Sequence, residues 1–229
     1  MTPAESQDAI WDYYQNEAPE SFAPAEARHK YLVKYVRRGT RILNIGIGDG
    51  AFEARAVALG ADVHALDPVA ATVERTRAKL GLGEKARVGY SQALPFPDAH
   101  FDLVVVSEVL EHLEEKVLHA SLAEVQRVIK PGGHVIGTVP ARERLTDKTV
   151  VCPNCHSRFH RWGHMQSFDA TRMRNLLGRH FRVVKVVERP FVGWASLNVK
   201  GKIRGLLKLA AWRAGVHASG ESVFFHAQR

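Results

Sequence analysis

Three groups of residues in this chain have types and spacings suited to chemistry. The first is Gly46, Gly48 and Gly50, which close the run Arg41-Ile42-Leu43-Asn44-Ile45-Gly46-Ile47-Gly48-Asp49-Gly50. Glycine turns sharply and lets a ligand approach the main chain. A helical pattern follows from Ala51 to Leu59, so the loop joins a strand to a helix N-terminus, as nucleotide-type sites do. Asp67, 21 positions after Gly46, ends the next apolar run. A carboxylate there accepts hydrogen bonds from both hydroxyls of an adenosine ribose. With Pro68 behind it, Asp67 also suits a turn or helix N-cap. Gly46, Gly48 and Ala51 loosely fit a dinucleotide fingerprint, so a nicotinamide cofactor is one reading of the loop. The second group is Glu108, Glu111 and His112, which follow the apolar strand 101–106 at the edge where such folds bind ligands. Their alternative role is to cap or orient the next helix.

The third group is Cys152-Pro153-Asn154-Cys155-His156-Ser157-Arg158-Phe159-His160-Arg161-Trp162-Gly163-His164, which contains both cysteines of the chain. Two thiolates and two imidazoles can close a tetrahedral, structural zinc site, here Cys152, Cys155, His160 and His164, with His156 as a substitute for His160. Short loops close such a set at low entropic cost. A redox dithiol, or two free thiols in a histidine-rich loop, are the competing readings. The expectation is that zinc stiffens a lid over the acceptor pocket, lined by Arg158, Arg161 and Trp162.

These groups need a scaffold, and the pattern supplies one. Apolar runs at 41–45, 62–66, 86–90, 101–106, 134–139, 181–188 and 222–227 alternate with helical patterns at 50–59, 69–80, 114–129 and 168–178. Alternation of this kind predicts a doubly wound, mostly parallel seven-stranded α/β sheet, Rossmann-like, with an antiparallel C-terminal strand. Helices are expected at 6–18 and 24–36, and 141–166 reads as irregular. The divisions read as a helical cap over 1–38, a cofactor-binding core over 39–140, an insert over 141–167 after strand five, and the remaining core over 168–229.

Composition narrows the classes. The 229 residues carry a formal charge of +8, unevenly spread. Residues 1–27 hold six acids and no Lys or Arg; residues 189–220 hold six Lys or Arg and no acid. Two cysteines exclude a disulfide scaffold and suggest a cytoplasmic home. No apolar run is long enough to span a membrane, and 1–15 lacks a secretory pattern. Residues 194–215 read as a basic amphipathic segment. A helix packed over the acceptor site, or one resting on an anionic membrane, accounts for it; in either case the acceptor is lipid-linked or anionic.

Four separated motifs carry a resemblance. Besides the glycine loop they are Leu94-Pro95-Phe96 with Phe101-Asp102-Leu103-Val104-Val105, then Ser107-Glu108-Val109-Leu110-Glu111-His112-Leu113, then Pro131-Gly132-Gly133. In this order, over about residues 25–140, they resemble class I S-adenosylmethionine-dependent methyltransferases of the small-molecule branch. The resemblance implies S-adenosylmethionine as methyl donor. Gly46, Gly48 and Gly50 lie by its methionine part, and Asp67 and Pro68 at its ribose. Ser91, Gln92 and Ala93 lie at its adenine, with Asn44 and Ser107 completing the contacts. Asn44 stands where the family usually has Asp, and Tyr90 where many relatives have Asp. Some glycan-cluster methyltransferases carry a similar Cys-x-x-Cys…Phe-His…Gly-His insert. The implied reaction is methyl transfer to a small-molecule, sugar or lipid-linked glycan acceptor, at oxygen. There His112 is the expected base, Glu108 the acidic group facing the cofactor, and Glu111 their neighbour. RNA methylation and a nicotinamide-dependent oxidoreductase are the alternatives. Nucleic acid is disfavoured because the corner after strand four is Ser107-Glu108-Val109-Leu110 and no aromatic-rich basic module is present.

Overall fold

The computed structural model describes residues 3–194, 197–217 and 219–229. Positions 1 and 2 of the expected cap, and Ala195 and Ser196 of the basic segment, lie outside the described residues. Seven strands form one sheet in the order β3-β2-β1-β4-β5-β9-β8. They are β1 (Arg41–Ile45), β2 (Asp62–Asp67), β3 (Ala86–Val88), β4 (Phe101–Ser107), β5 (Ile129–Pro140), β8 (Arg182–Pro190) and β9 (Glu221–Gln228). β9 runs antiparallel to both of its neighbours and the other pairings are parallel. The expected doubly wound sheet with an antiparallel last strand is the observed one.

The apolar runs explain the centre. β4 is buried along most of its length and pairs with β1 and β5, as a strand covered on both faces must be. Alternate residues of β1 feed two cores. Leu43 and Ile45 join Val104, Leu122 and Phe168 on one face. Ile42 joins Val63, Ala56 and Leu32 on the other. Helices α3 (Ala51–Ala58) and α4 (Ala70–Leu80) follow β1 and β2, and α5 (Glu115–Val128) follows β4. α6 (Ala170–Leu177) precedes β8, with Asp169 accepting the Arg172 N–H at its N-terminus, 2.7 Å.

Three expectations change. The helix expected over 6–18 is α1 (Pro3–Asp12) followed by a wider turn over Tyr13–Glu17. α2 (Glu26–Leu32) is shorter than 24–36 and adds Leu32 to the core, so it belongs to the helical layer as well as to the cap. The stretch read as irregular contains a hairpin, β6 (Thr149–Val151) with β7 (Arg158–His160). Pro131-Gly132-Gly133 lies inside β5, beside a register shift between Phe101 and Leu103.

Candidate cofactor and acceptor site

A cavity of about 950 Å³ opens over the carboxyl ends of β1, β2 and β4. Its floor is the glycine loop. Gly46 has φ +86°, and a Cβ there would come 2.6 Å from Val109 Cγ2, so glycine is required by both backbone and space. Asp67 forms one wall. Its Oδ2 accepts the Ile47 N–H at 2.8 Å and the Gln15 amide at 3.2 Å; its Oδ1 accepts the Val69 N–H at 3.0 Å. Burial pushes its pKa up to about 6, against the pull of these donors.

Of the residues expected at the cofactor, Gly46, Gly48, Asp67, Pro68, Ser91, Gln92 and Ser107 line the cavity. Ser91 nonetheless turns its hydroxyl to Ser121 at 2.7 Å, and Ser107 turns its own to Thr138 at 2.8 Å. Asn44, Gly50 and Ala93 lie outside the lining. Asn44 is a correction with a clear cause. Its amide donates to Gly46 O at 2.9 Å and to Glu53 Oε1 at 2.6 Å, facing α3 rather than the cavity. Glu53 is fully buried, and burial pushes its pKa up to about 8 despite the Asn44 bond.

The N-terminal residues over the cavity carried no readable signal beyond their aromatic clustering. Trp11, Tyr14 and Gln15 line it, and Gln15 also accepts the Thr72 hydroxyl at 2.6 Å. Trp11 Nε1 donates to His112 Nδ1 at 3.4 Å, and Gln7 Nε2 lies 3.1 Å from the same atom. Burial, with the neighbouring His164 and His160, pushes the pKa of His112 down to about 3. His112 thus lies between the N-terminal cap and the insert, with Nδ1 facing the cap.

Glu108 and Glu111 do line the cavity. Glu108 adopts φ +57°, a strained conformation for a non-glycine residue, and lies 3.7 Å from Arg28 Nε. Burial, then the nearby Glu108, holds the Glu111 carboxyl well above the ordinary carboxylate range, and neither of its oxygens has a hydrogen-bond partner.

The insert adds groups that were not anticipated. Glu143 Oε2 pairs with His164 Nδ1, and Glu143 Oε1 lies 3.6 Å from His160 Nε2. His164, Glu143 and Trp162 line the cavity; Arg158 and Arg161 do not. The four residues read as zinc ligands do not converge. Among the described residues, no group of three ligating side chains includes Cys152 or Cys155. The cysteines sit at the tip of the β6–β7 hairpin, where Cys155 Sγ contacts Ser157 Oγ at 3.0 Å. The His160 and His164 rings stack at 4.5 Å with an interplanar angle of 21°. With Glu143 these two histidines lie close enough to share an ion, but neither cysteine joins them. His160 Nδ1 already accepts the His164 N–H at 3.1 Å. These residues do not fit the zinc site read from their spacing.

With this geometry the comparisons with known proteins can be placed. Residues 43–137 match a family model described as a methyltransferase domain. This segment is similar to methyltransferase domains. An uncharacterized methyltransferase of Schizosaccharomyces pombe is 36% identical over 117 residues, 46% of this chain and 41% of that relative. The ubiquinone/menaquinone biosynthesis C-methyltransferase UbiE of Psychromonas ingrahamii is 35% identical over 109 residues, 44% of this chain and 43% of its own. The chain thus spans less than half the length of these curated relatives. Among solved structures, a Burkholderia thailandensis 1,6-didemethyltoxoflavin-N1-methyltransferase with bound S-adenosylhomocysteine superposes with a TM-score of 0.67 at 17% identity. It covers 100% of this chain and 91% of that one, and shows the fold is shared. The family match takes in the glycine loop and Asp67. Its matched segment ends before the insert and before the basic segment.

Two outcomes follow for this wall and this insert. Burial pushes the Glu53 pKa up to about 8, whereas an unfolded glutamate loses its proton near 4.5. Folding stability from this group is thus lost as pH rises between those values. Glu53→Gln should gain thermal stability over the native protein across that window, by up to about 1.4 kcal/mol per pH unit, and the difference should vanish near pH 4, as read by melting curves. Replacing both Cys152 and Cys155 with Ser should leave the melting midpoint within about 2 °C, before and after chelation, since the loss of a bound structural metal would cost several times that.

Proposed function

We propose that this chain transfers a methyl group from S-adenosylmethionine to an oxygen of a small polar or sugar-like acceptor. The observation that carries the reading is the junction of Asp67 with the glycine loop, which together make a nucleoside wall and a methionine floor in one cavity. Its volume of about 950 Å³ leaves room for a second molecule beside the donor. The far side of the cavity is lined by Arg142, Glu143, Arg144, Asp147, Lys148 and Trp162, charges of both signs around one indole. Such a lining suits a polar acceptor better than an apolar one. The relative named as a C-methyltransferase matches over less than half of this chain, so its name does not choose the methylated atom.

The residues divide the work as follows. S-adenosylmethionine, once bound, supplies a methyl already activated on a sulfonium. Asp67 holds the ribose hydroxyls, and Gln92 with main-chain groups faces the adenine. Glu108, held in its strained conformation, faces the methionine end. The acceptor hydroxyl must lose one proton as its oxygen forms the new carbon bond and the carbon–sulfur bond breaks. Burial leaves His112 too weakly basic for that proton. We assign it to His164, which lines the cavity and whose Nδ1 is paired with Glu143, leaving Nε2 to accept it. The resulting imidazolium sits against the Glu143 carboxylate, as in other carboxylate-oriented histidine bases. Positioning supplies most of the remaining acceleration.

Asp67→Asn should weaken S-adenosylhomocysteine binding by tenfold or more in isothermal titration, about 1.4 kcal/mol. Native affinity should fall as pH drops through about 6, where Asp67 gains its proton, and stay level above pH 7. Undiminished affinity in Asp67→Asn would remove the donor site. His164→Gln should lower kcat by about 10² or more while leaving that affinity unchanged. Glu143→Gln should follow in the same direction, and His112→Gln should lower the melting midpoint far more than kcat.

A further inference from the structure

α7 (Val199–Arg213) connects β8 to β9, and its N-terminus is capped by Asn198, whose side-chain oxygen accepts the Gly201 N–H at 2.9 Å. One side of the helix rests on the protein. A Cβ at Gly205 would lie 2.9 Å from Val192 and 3.2 Å from the Trp194 ring, so glycine permits that approach. Trp212 Nε1 donates to Glu188 O at 2.6 Å, and Lys208 Nζ donates to the carbonyls of Ser219 and Gly220 at 2.9 and 3.0 Å. The packing face is thus Gly205, Lys208 and Trp212.

The opposite face is apolar and faces water. Val199, Ile203, Leu206 and Leu207 are 74%, 53%, 60% and 65% exposed. At helical spacing these four fall within one arc about 100° wide. Lys202 and Arg213 border that arc on one side, and Lys200 and Arg204 on the other; all four are exposed. No acid occurs between residues 189 and 220. None of the helix lines the cavity, so the expectation that it packs over the acceptor site is not met.

The occupant of this face must satisfy an apolar stripe and its cationic borders together. A second copy of this chain meeting the face symmetrically would set the same cations against each other, which is repulsive. A surface of anionic lipid offers acyl chains to the stripe and headgroup phosphates to the borders. We propose that α7 docks the protein on an anionic membrane surface, with Val199, Ile203, Leu206 and Leu207 turned into the acyl region and the four cations at headgroup level. The segment leaving α7 supplies Ser219 to Ser222 to the cavity lining, so the docked helix is continuous with the cavity wall. This inference stands apart from the methyl-transfer reading.

Co-sedimentation with vesicles tests it. The native protein should pellet with phosphatidylcholine vesicles containing phosphatidylglycerol, not with phosphatidylcholine alone, and raised salt should weaken the binding. Lys200→Ala and Lys202→Ala should each weaken it about fivefold. Leu206→Asp combined with Leu207→Asp should weaken it about tenfold or more. These positions are exposed, so the variants should keep the native circular dichroism and S-adenosylhomocysteine affinity. Native protein left in the supernatant with anionic vesicles overturns the proposal, as does unchanged binding by the double Leu variant. Self-association in lipid-free ultracentrifugation, abolished by that variant, overturns it in favour of a protein partner. Loss of vesicle binding with donor affinity intact would touch only this inference.

Discussion

The Asp67 carboxylate ties together the parts of this molecule that come from different stretches of chain. It is almost fully buried, and removing a carboxylate from water is costly unless donors surround it. The donors are the Ile47 and Val69 main-chain N–H groups and the Gln15 amide. Ile47 belongs to the glycine loop, Val69 opens the approach to α4, and Gln15 comes from the N-terminal cap. One side chain thus fixes the loop over β1 against the tip of β2 and draws the cap across both. The parallel register of β1 with β2, ending at Ile45 beside Leu66, sets that distance before any ligand is present. The pKa of about 6 records the balance: the donors recover much, not all, of the lost hydration.

That balance also accounts for Asn44. Glu53, Asp67 and Asp49 already crowd this wall with acids, and Asp49 and Asp67 both raise the cost of ionising Glu53. A fourth carboxylate at position 44, on the strand facing α3, would add to the repulsion. An amide there donates to Glu53 and to the Gly46 carbonyl instead. The acid customary on the strand in the resembling family has a counterpart on the helix opposite. The departure in sequence therefore leaves the loop supported, from the other side of the same contact.

Much of this was legible in the sequence, for definite reasons. β1, β2 and β4 are short apolar runs that end in glycine or Asp-Pro, and burial on both faces leaves little freedom in their placement. The glycine loop and Asp67 follow because each needs a particular residue at a particular strand tip. Less was legible where two structures share one spacing. Cys152 to Ser157 reads as a metal knuckle, yet the same six residues close the β6–β7 hairpin, with Cys152 N donating to Ser157 O and His156 N to Cys152 O, both at 2.9 Å. Gln15 and Glu143 were invisible, since long-range contacts alone give an ordinary polar residue its place. In the basic segment Leu209 and Trp212 fall outside the apolar stripe of Val199, Ile203, Leu206 and Leu207. Trp212 packs on the protein, and the helix has a separate apolar face toward solvent.

The histidines around the insert show why counting candidates by type misleads. His112 and His160 each lie in ring contact with His164, at 4.7 Å and 4.5 Å between centroids. Burial pushes the pKa of both His112 and His160 down, and each is lowered further by His164. Glu111 is held toward its neutral form by burial, whereas Glu143 pairs directly with His164. The three rings are thus told apart by which carboxylate and which part of the chain each one meets, not by their type.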